Sequence, residues 1–173
     1  MSDDQDWGSQ GAYWDSVTAY RPPEDRIETA AKWRAAELDL HGYYLREIPA
    51  QVWTMTHLTE LHLYINKLTV LPDEVGQLTG LTWLSVAGNE LRSLPDNIGL
   101  LASLTRLDAQ DNQLTTLPPC LAGLSRLVTL NLAGNKLRSL PGWLADMPAL
   151  TTLYSVGNPL EDVPRPVAAR FGI

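Results

Sequence analysis

Residues 58–80 read LTELHLYINKLTVLPDEVGQLTG, and the chain writes the same pattern three more times. Leu81, Leu104 and Leu127 open the copies and Leu150 opens a decayed fifth, each 23 residues after the last. Every full copy places leucine first and fourth, an apolar residue sixth, asparagine ninth, leucine eleventh and fourteenth, and proline fifteenth. A fixed period of this length decides the architecture before any local propensity is consulted, because each unit is one supersecondary element that cannot bury its apolar face alone.

The period has a physical reading. Leu61-His62-Leu63 alternates apolar and polar, as a short strand with one buried face does. Leu84-Ser85-Val86, Leu107-Asp108-Ala109 and Leu130-Asn131-Leu132 repeat it. Stacking these strands side by side predicts a parallel sheet over one continuous core. Asn66, Asn89, Asn112, Asn135 and Asn158 follow the strands, where the backbone must turn inward away from water. An amide side chain both donates and accepts, so a column of asparagines can satisfy the backbone groups of those turns. Pro72, Pro95, Pro118, Pro141 and Pro164 sit on the return leg. Proline fixes φ and biases the preceding residue to extended backbone, so that leg is expected to be irregular or polyproline-like, with short helical turns at most.

The pattern LxxLxLxxNxLxxLPxxL resembles the leucine-rich repeat, in its intracellular 23-residue class, and is similar to Ras-suppressor-like and bacterial repeat proteins. The resemblance covers roughly residues 35–170. It implies an α/β solenoid: an arc with a short parallel sheet on its concave face, an irregular or short-helical convex side and an N-terminal capping helix.

Around the repeats the chain divides into an acidic, aromatic-containing leader (1–22), a capping helix (23–36) and the repeat domain (37–173). The atypical first repeat covers 35–57. The leader carries acids, Gly, Ser and Gln but also Trp7, Tyr13, Trp14 and Tyr20. Disordered tails are poor in aromatics, so these residues are read either as covering the open end of the solenoid or as a partner-binding peptide. Pro22-Pro23 opens the helix, with Glu24 and Asp25 in its first turn, where acids suit the helix dipole. Ile27, Ala30 and Ala31 follow helical spacing and carry the helix to about Ala36, while Trp33 lies off that stripe. In the first repeat Tyr43 replaces the asparagine, and Trp53 stands where later copies have Gly76, Gly99, Ala122 and Ala145. In the last repeat Ser155 replaces the apolar sixth residue. The tail after Pro164 is expected to fold over the final turn through Val167 and Phe171.

The formal charge is −7. Residues 1–30 hold seven acids against two arginines, which is −5 and leaves −2 for the rest. This balance argues against nonspecific nucleic-acid or anionic-lipid binding. Cys120 is the sole cysteine, which excludes an internal disulfide. With no apolar run near the N-terminus, a cytoplasmic, reducing setting is expected.

Function on such a scaffold is expected on the outward strand positions, the third, fifth and seventh of each repeat. They are Glu37, Asp39 and His41; Glu60, His62 and Tyr64; Trp83, Ser85 and Ala87; Arg106, Asp108 and Gln110; Thr129, Asn131 and Ala133; Thr152, Tyr154 and Val156. At about 4.8 Å per strand the six strands span roughly 24 Å, enough for a helix or loop of another protein. Tyr64, Trp83 and Arg106 are of the types that dominate interface energetics. The bland alternative is an incidental exposed aromatic at Trp83. Glu37, Asp39 and Glu60 make the N-terminal half of the face acidic, and Asp108 and Asp111 extend this, which favours a partner with a basic patch.

No phosphate-binding loop, nucleophile elbow or HExxH motif occurs. Cys120 has no histidine near it in sequence and is read as a plain thiol. His41, His62, Asp39 and Glu60 fall on the first two strands and could bind zinc or nickel. Polar interface residues are the commoner reading of a solenoid face, and neither metal nor cofactor is expected. The expected role is a monomeric, non-enzymatic adaptor or scaffold, in signalling by resemblance, that binds another protein on its concave face. Two other roles stay open: a regulatory or targeting subunit of an enzyme complex or bacterial effector, and a self-associating structural module.

Overall fold

The computed structural model describes residues 22–173. The expectations placed on Trp7, Tyr13, Trp14 and Tyr20 lie outside the described residues. Six three-residue strands, β1 (Glu37–Asp39), β2 (Glu60–His62), β3 (Trp83–Ser85), β4 (Arg106–Asp108), β5 (Thr129–Asn131) and β6 (Thr152–Tyr154), pair in chain order as one parallel sheet. The register advances by one repeat at each step, so Glu37, Glu60, Trp83, Arg106, Thr129 and Thr152 lie side by side. The middle leucines Leu38, Leu61, Leu84, Leu107 and Leu130 point inward and are buried.

The return legs leave each leucine-proline step in extended backbone and close as five 3-10 turns: Ala50–Thr54, Asp73–Gln77, Asp96–Leu100, Pro119–Gly123 and Gly142–Ala145. Each turn buries one apolar residue of a single column, Val52, Val75, Ile98, Leu121 and Leu144. The core is therefore a ribbon between the sheet and these turns. Close stacking explains the glycine at position 99: a Cβ there would come within 2.8 Å of the Cys120 Cβ.

Helices cover both ends. α1 (Pro23–Trp33) has proline in its first turn, Glu24 and Asp25 beside it, and Ile27 and Ala30 buried on the first repeat. It stops three residues short of the expected Ala36. Arg34 takes the left-handed conformation (φ 49°), which turns the chain toward β1 and caps the helix, a common way for helices to end. Trp33 is 72 % exposed. α2 (Arg165–Phe171) buries Val167 and half-buries Phe171. Its Arg170 donates to the carbonyls of Ala145, Met147 and Leu150, which ties α2 to the final turn.

The asparagine column does more than satisfy its own turn. Asn112 Nδ2 donates to Ala109 O (3.2 Å) and Gln110 O (3.1 Å) in its own repeat and to Val86 O (3.0 Å) in the preceding one. Its Oδ1 accepts the Leu91 N–H, again from the preceding repeat (3.0 Å). Asn66, Asn89, Asn135 and Asn158 make the equivalent bonds, and Asn66 reaches back to Leu40 O and Leu45 N–H of the first repeat, where Tyr43 supplies no amide. A second ladder runs at the second position. The hydroxyls of Thr59, Thr82 and Thr105 each donate to the carbonyl 23 residues earlier, at 3.1, 3.0 and 2.9 Å.

Just before the asparagine, the eighth residue of every repeat is left-handed: Gly42 (φ 71°), Ile65 (56°), Gly88 (62°), Asp111 (51°), Gly134 (65°) and Gly157 (77°). Glycine adopts this conformation freely, whereas a β-branched residue is a strained outlier there. Ile65 is that outlier, and its side chain is exposed.

Two stability outcomes follow from these contacts. Asn112→Ala leaves buried backbone groups in two repeats without partners and should lower the unfolding free energy by about 2–3 kcal/mol, while the half-exposed Asn158→Ala, where water can substitute, should cost less than half as much. Denaturant titration of the two variants measures the difference, and equal losses would contradict the cross-repeat account. Ile65→Gly relieves roughly 1–2 kcal/mol of left-handed strain against about 0.4–1 kcal/mol of added unfolded-chain entropy. A net gain of about 0.5–1 kcal/mol is expected in the same titration, and a net loss would show that the isoleucine side chain contributes more than its strain costs.

Candidate functional site

The strands are short and in register, so residues one repeat apart meet across the concave face. Trp83 is the centre of the contacts. The Arg106 guanidinium lies 4.4 Å from the Trp83 ring centroid, on the neighbouring strand. On the other side the His62 ring meets it edge-on, with centroids 4.5 Å apart and planes at 85°. Trp83 is thus held between a cation and an imidazole, and its indole Nε1 is buried with no acceptor. The cation–π and edge-on contacts favour the ring's position, but an unmade bond of this kind costs about 1–3 kcal/mol. One strand back, His41 stacks on Tyr64 at 4.6 Å with planes 7° apart. Asp39 holds that imidazole: His41 Nδ1 lies 2.7 Å from Oδ1, which also accepts the His41 backbone N–H (3.0 Å).

Beside these rings the sheet carries a hollow of about 650 Å³. Five carboxylates line it, Glu37, Asp39, Glu60, Asp108 and Asp111, and no lysine or arginine does. Burial pushes the Asp108 carboxyl up from its ordinary range, against the Gln110 N–H and Arg106, which favour the charged form. The Tyr64 hydroxyl is pushed up by burial first and then by Asp39 and Glu37. Both shifts begin with loss of solvation of the charged form, and at Tyr64 the neighbouring carboxylates add to it.

The expected face residues divide into three groups. Glu37, Asp39, Glu60, Tyr64, Trp83, Asp108 and Gln110 gather around the hollow, as do His62, Ser85 and Ala87. Those last three were expected outward but are buried. The face is concave, so the large rings of neighbouring strands close over the small residues and over His62. Arg106 and His41 stand behind the aromatic rings rather than on the lining. Asn131 and Tyr154 belong to the far end of the sheet, where Asn131 Nδ2 donates to Gln110 Oε1 (2.9 Å) and Tyr154 is exposed. The quartet of His41, His62, Asp39 and Glu60 does not assemble, because Asp39 takes His41 toward Tyr64. His62 Nε2 instead faces Glu37 and Glu60, at 3.5 and 3.4 Å.

Asp111, read from the sequence as extending the acidic face, does line the hollow, whereas Ile65 and Gly88 on the lining escaped that reading. Ile65 and Asp111 occupy the eighth position that is glycine in the other repeats, so an irregularity in the repeat itself was the available signal for Ile65. A larger open groove, about 910 Å³, runs beside the first two 3-10 turns. Its charges are of both signs and Lys67 pairs with Glu90 across it (3.7 Å), which leaves it without the single-sign character of the concave hollow. Cys120 is half-buried, and burial pushes its thiol up, so it is held neutral and is a poor nucleophile.

Among the described residues no helix is long and apolar enough to cross a membrane. The family pattern for leucine rich repeats matches residues 56–114 and 103–160. No curated protein matches the chain in sequence. Among solved structures, a leucine-rich repeat protein of Leptospira interrogans, LIC12759, superposes with a TM-score of 0.73 at 32% identity over 86% of this chain and 43% of its own. The internalin InlF of Listeria monocytogenes gives 0.62 at 29% identity over 72% and 36%. A plant peptide hormone receptor, RGFR1, solved in complex with RGF2, gives 0.65 at 32% identity over 72% and 21%. The chain therefore spans less than half the length of each of these three proteins. Leucine-rich repeat domains are generally modules of protein–protein interaction rather than enzymes. The two matches together run from residue 56 to residue 160, more than half of the chain, over a sheet whose register advances by one 23-residue repeat per strand, and the chain belongs to the leucine-rich repeat family.

Proposed function

We propose that this chain is a non-enzymatic adaptor or scaffold that binds another protein on its concave face, with a basic segment of that partner seated in the hollow beside Trp83. The single observation that carries the reading is the lining of that hollow: five carboxylates, no lysine or arginine, and two aromatic walls. A lysine or arginine entering it gains charge complementarity, which sets orientation and encounter rate, and apolar contact with Tyr64, Trp83 and the exposed Ile65. The strain at Ile65 and the unpaired Trp83 indole N–H support the same conclusion, since costs of this kind collect at functional sites. A cytoplasmic location and a monomeric state fit the lone, reduced Cys120 and the capped ends of the sheet. A signalling role rests on the family resemblance alone.

Trp83→Ala should weaken partner binding by at least about 2 kcal/mol, roughly thirtyfold. It should leave the fold intact, because the side chain stands outside the leucine core. Binding should also weaken with added salt, as steering by exposed carboxylates is screened within about 10 Å at 0.1 M. The measurement is recovery of partners from lysate of the native cell, then titration of the recovered protein against wild type, Trp83→Ala and the convex-side variants Asp73→Ala and Gln77→Ala. Loss of binding in the convex variants with Trp83→Ala unaffected would assign the interaction to the opposite surface.

A further inference from the structure

At one end of the hollow, two of its carboxylates stand beside a buried imidazole. His62 is nine-tenths buried, and its Nε2 is turned toward two carboxylates, Glu37 Oε1 at 3.5 Å and Glu60 Oε2 at 3.4 Å. Both separations exceed the 2.7–3.2 Å of an ordinary N–H···O hydrogen bond. The imidazole therefore sits between two acids without bonding closely to either. No lysine or arginine pairs with Glu37 or Glu60 among the described residues. Nor does the repeat demand an imidazole: the fifth position is Ser85, Asp108, Asn131 and Tyr154 in the later copies.

We propose that Glu37, Glu60 and His62 form a site for a divalent transition-metal ion, zinc foremost. Zinc takes nitrogen and oxygen ligands at about 2.0–2.2 Å, and two ligand atoms of a tetrahedron built on such bonds lie about 3.3–3.6 Å apart. The two measured nitrogen–oxygen edges fall in that range. All three ligand atoms lie within 4.8 Å of one another, and both glutamate side chains are partly exposed, which leaves them room to adjust around an ion. The buried member of the set is the one that needs fixing, and Trp83 fixes it by packing edge-on against the His62 ring. One imidazole and two carboxylates leave a fourth position open toward the hollow, as catalytic and ligand-exchanging zinc sites do. Borderline nitrogen–oxygen ligation selects zinc, nickel or cobalt over calcium and magnesium, which take oxygen alone. The site stands independently of the partner reading, since it needs only residues of this chain.

The test uses the full chain without any histidine tag. Titration with Zn²⁺ alone by calorimetry should show one equivalent bound with a Kd on the order of 10 µM or tighter. Co²⁺ should give the intense visible bands of a tetrahedral ion, and Zn²⁺ should raise the melting temperature. His62→Gln, Glu60→Gln and Glu37→Gln should each weaken Zn²⁺ binding at least tenfold, and His41→Ala, whose ring is engaged by Asp39 and Tyr64, should not. A melting curve without metal shows that each variant is folded. The proposal is overturned if no saturable Zn²⁺ binding is seen. It is equally overturned if binding survives His62→Gln, or is lost to the same degree in His41→Ala.

Discussion

Each asparagine amide in the column is shared between two repeats, and the solenoid depends on that sharing. The nitrogen of Asn89 donates to Val86 O in its own repeat and to Leu63 O in the one before, while its oxygen accepts the Leu68 N–H. Neither repeat can satisfy its buried turn without the other. A buried polar group left unpaired is costly in a low-dielectric interior, so the amides convert a set of individually unstable units into one cooperative stack. The threonine hydroxyls at the second position repeat the device on the other side of the strand. The two ends of the stack are held differently: Asn66 reaches back to serve a repeat that has Tyr43 in place of an amide, and Arg170 of α2 donates to three carbonyls of the last turn.

The same stacking sets up the concave face. Parallel strands in a register of one repeat bring residues 23 positions apart within side-chain contact. Trp83 meets Arg106 on one side and His62 on the other through that geometry alone. Leucine at the fourth position of every strand pins the register, because a shift by one residue would turn the core leucines to solvent. The rigid backbone beneath therefore holds an arrangement of rings and carboxylates that the repeat pattern does not call for. Trp83 keeps an indole N–H without an acceptor, and Ile65 occupies a backbone conformation made for glycine. Those costs are borne by a core whose leucines are buried throughout.

Charge follows a similar division between the chain as a whole and the place where it concentrates. The formal charge is carried mainly by the first thirty residues, and the remainder is only −2. The repeat body is nevertheless not uniform: five carboxylates face one hollow, while basic residues lie elsewhere, Arg106 behind the tryptophan and Arg26 at Asp39, where it donates to the carbonyl (3.3 Å). A small net charge thus conceals a local potential of one sign, which is what a cation, whether a metal ion or a basic side chain, would experience.

The sequence by itself determined the period, the strands, the asparagine column, the proline-led return legs and the list of outward positions. All of these are local consequences of a pattern repeated every 23 residues, and repetition makes each copy confirm the others. It also held an unread signal at the eighth position, where Ile65 stands in a column made mostly of glycines. Only the tertiary structure decided which outward residues are accessible, because curvature of the sheet buries His62, Ser85 and Ala87 beneath larger neighbours. Side-chain pairing was equally beyond the pattern. Two histidines and two acids near one another in sequence looked like one group, but Asp39 draws His41 to Tyr64 while His62 turns to Glu37 and Glu60. Rotamer choice at such places is settled by contacts between repeats, and alternation along a single strand carries no information about it. The end of α1 was decided in the same way: the helical pattern runs on toward Ala36, yet the chain must reverse at Arg34 to place Leu38 in the first strand of the core.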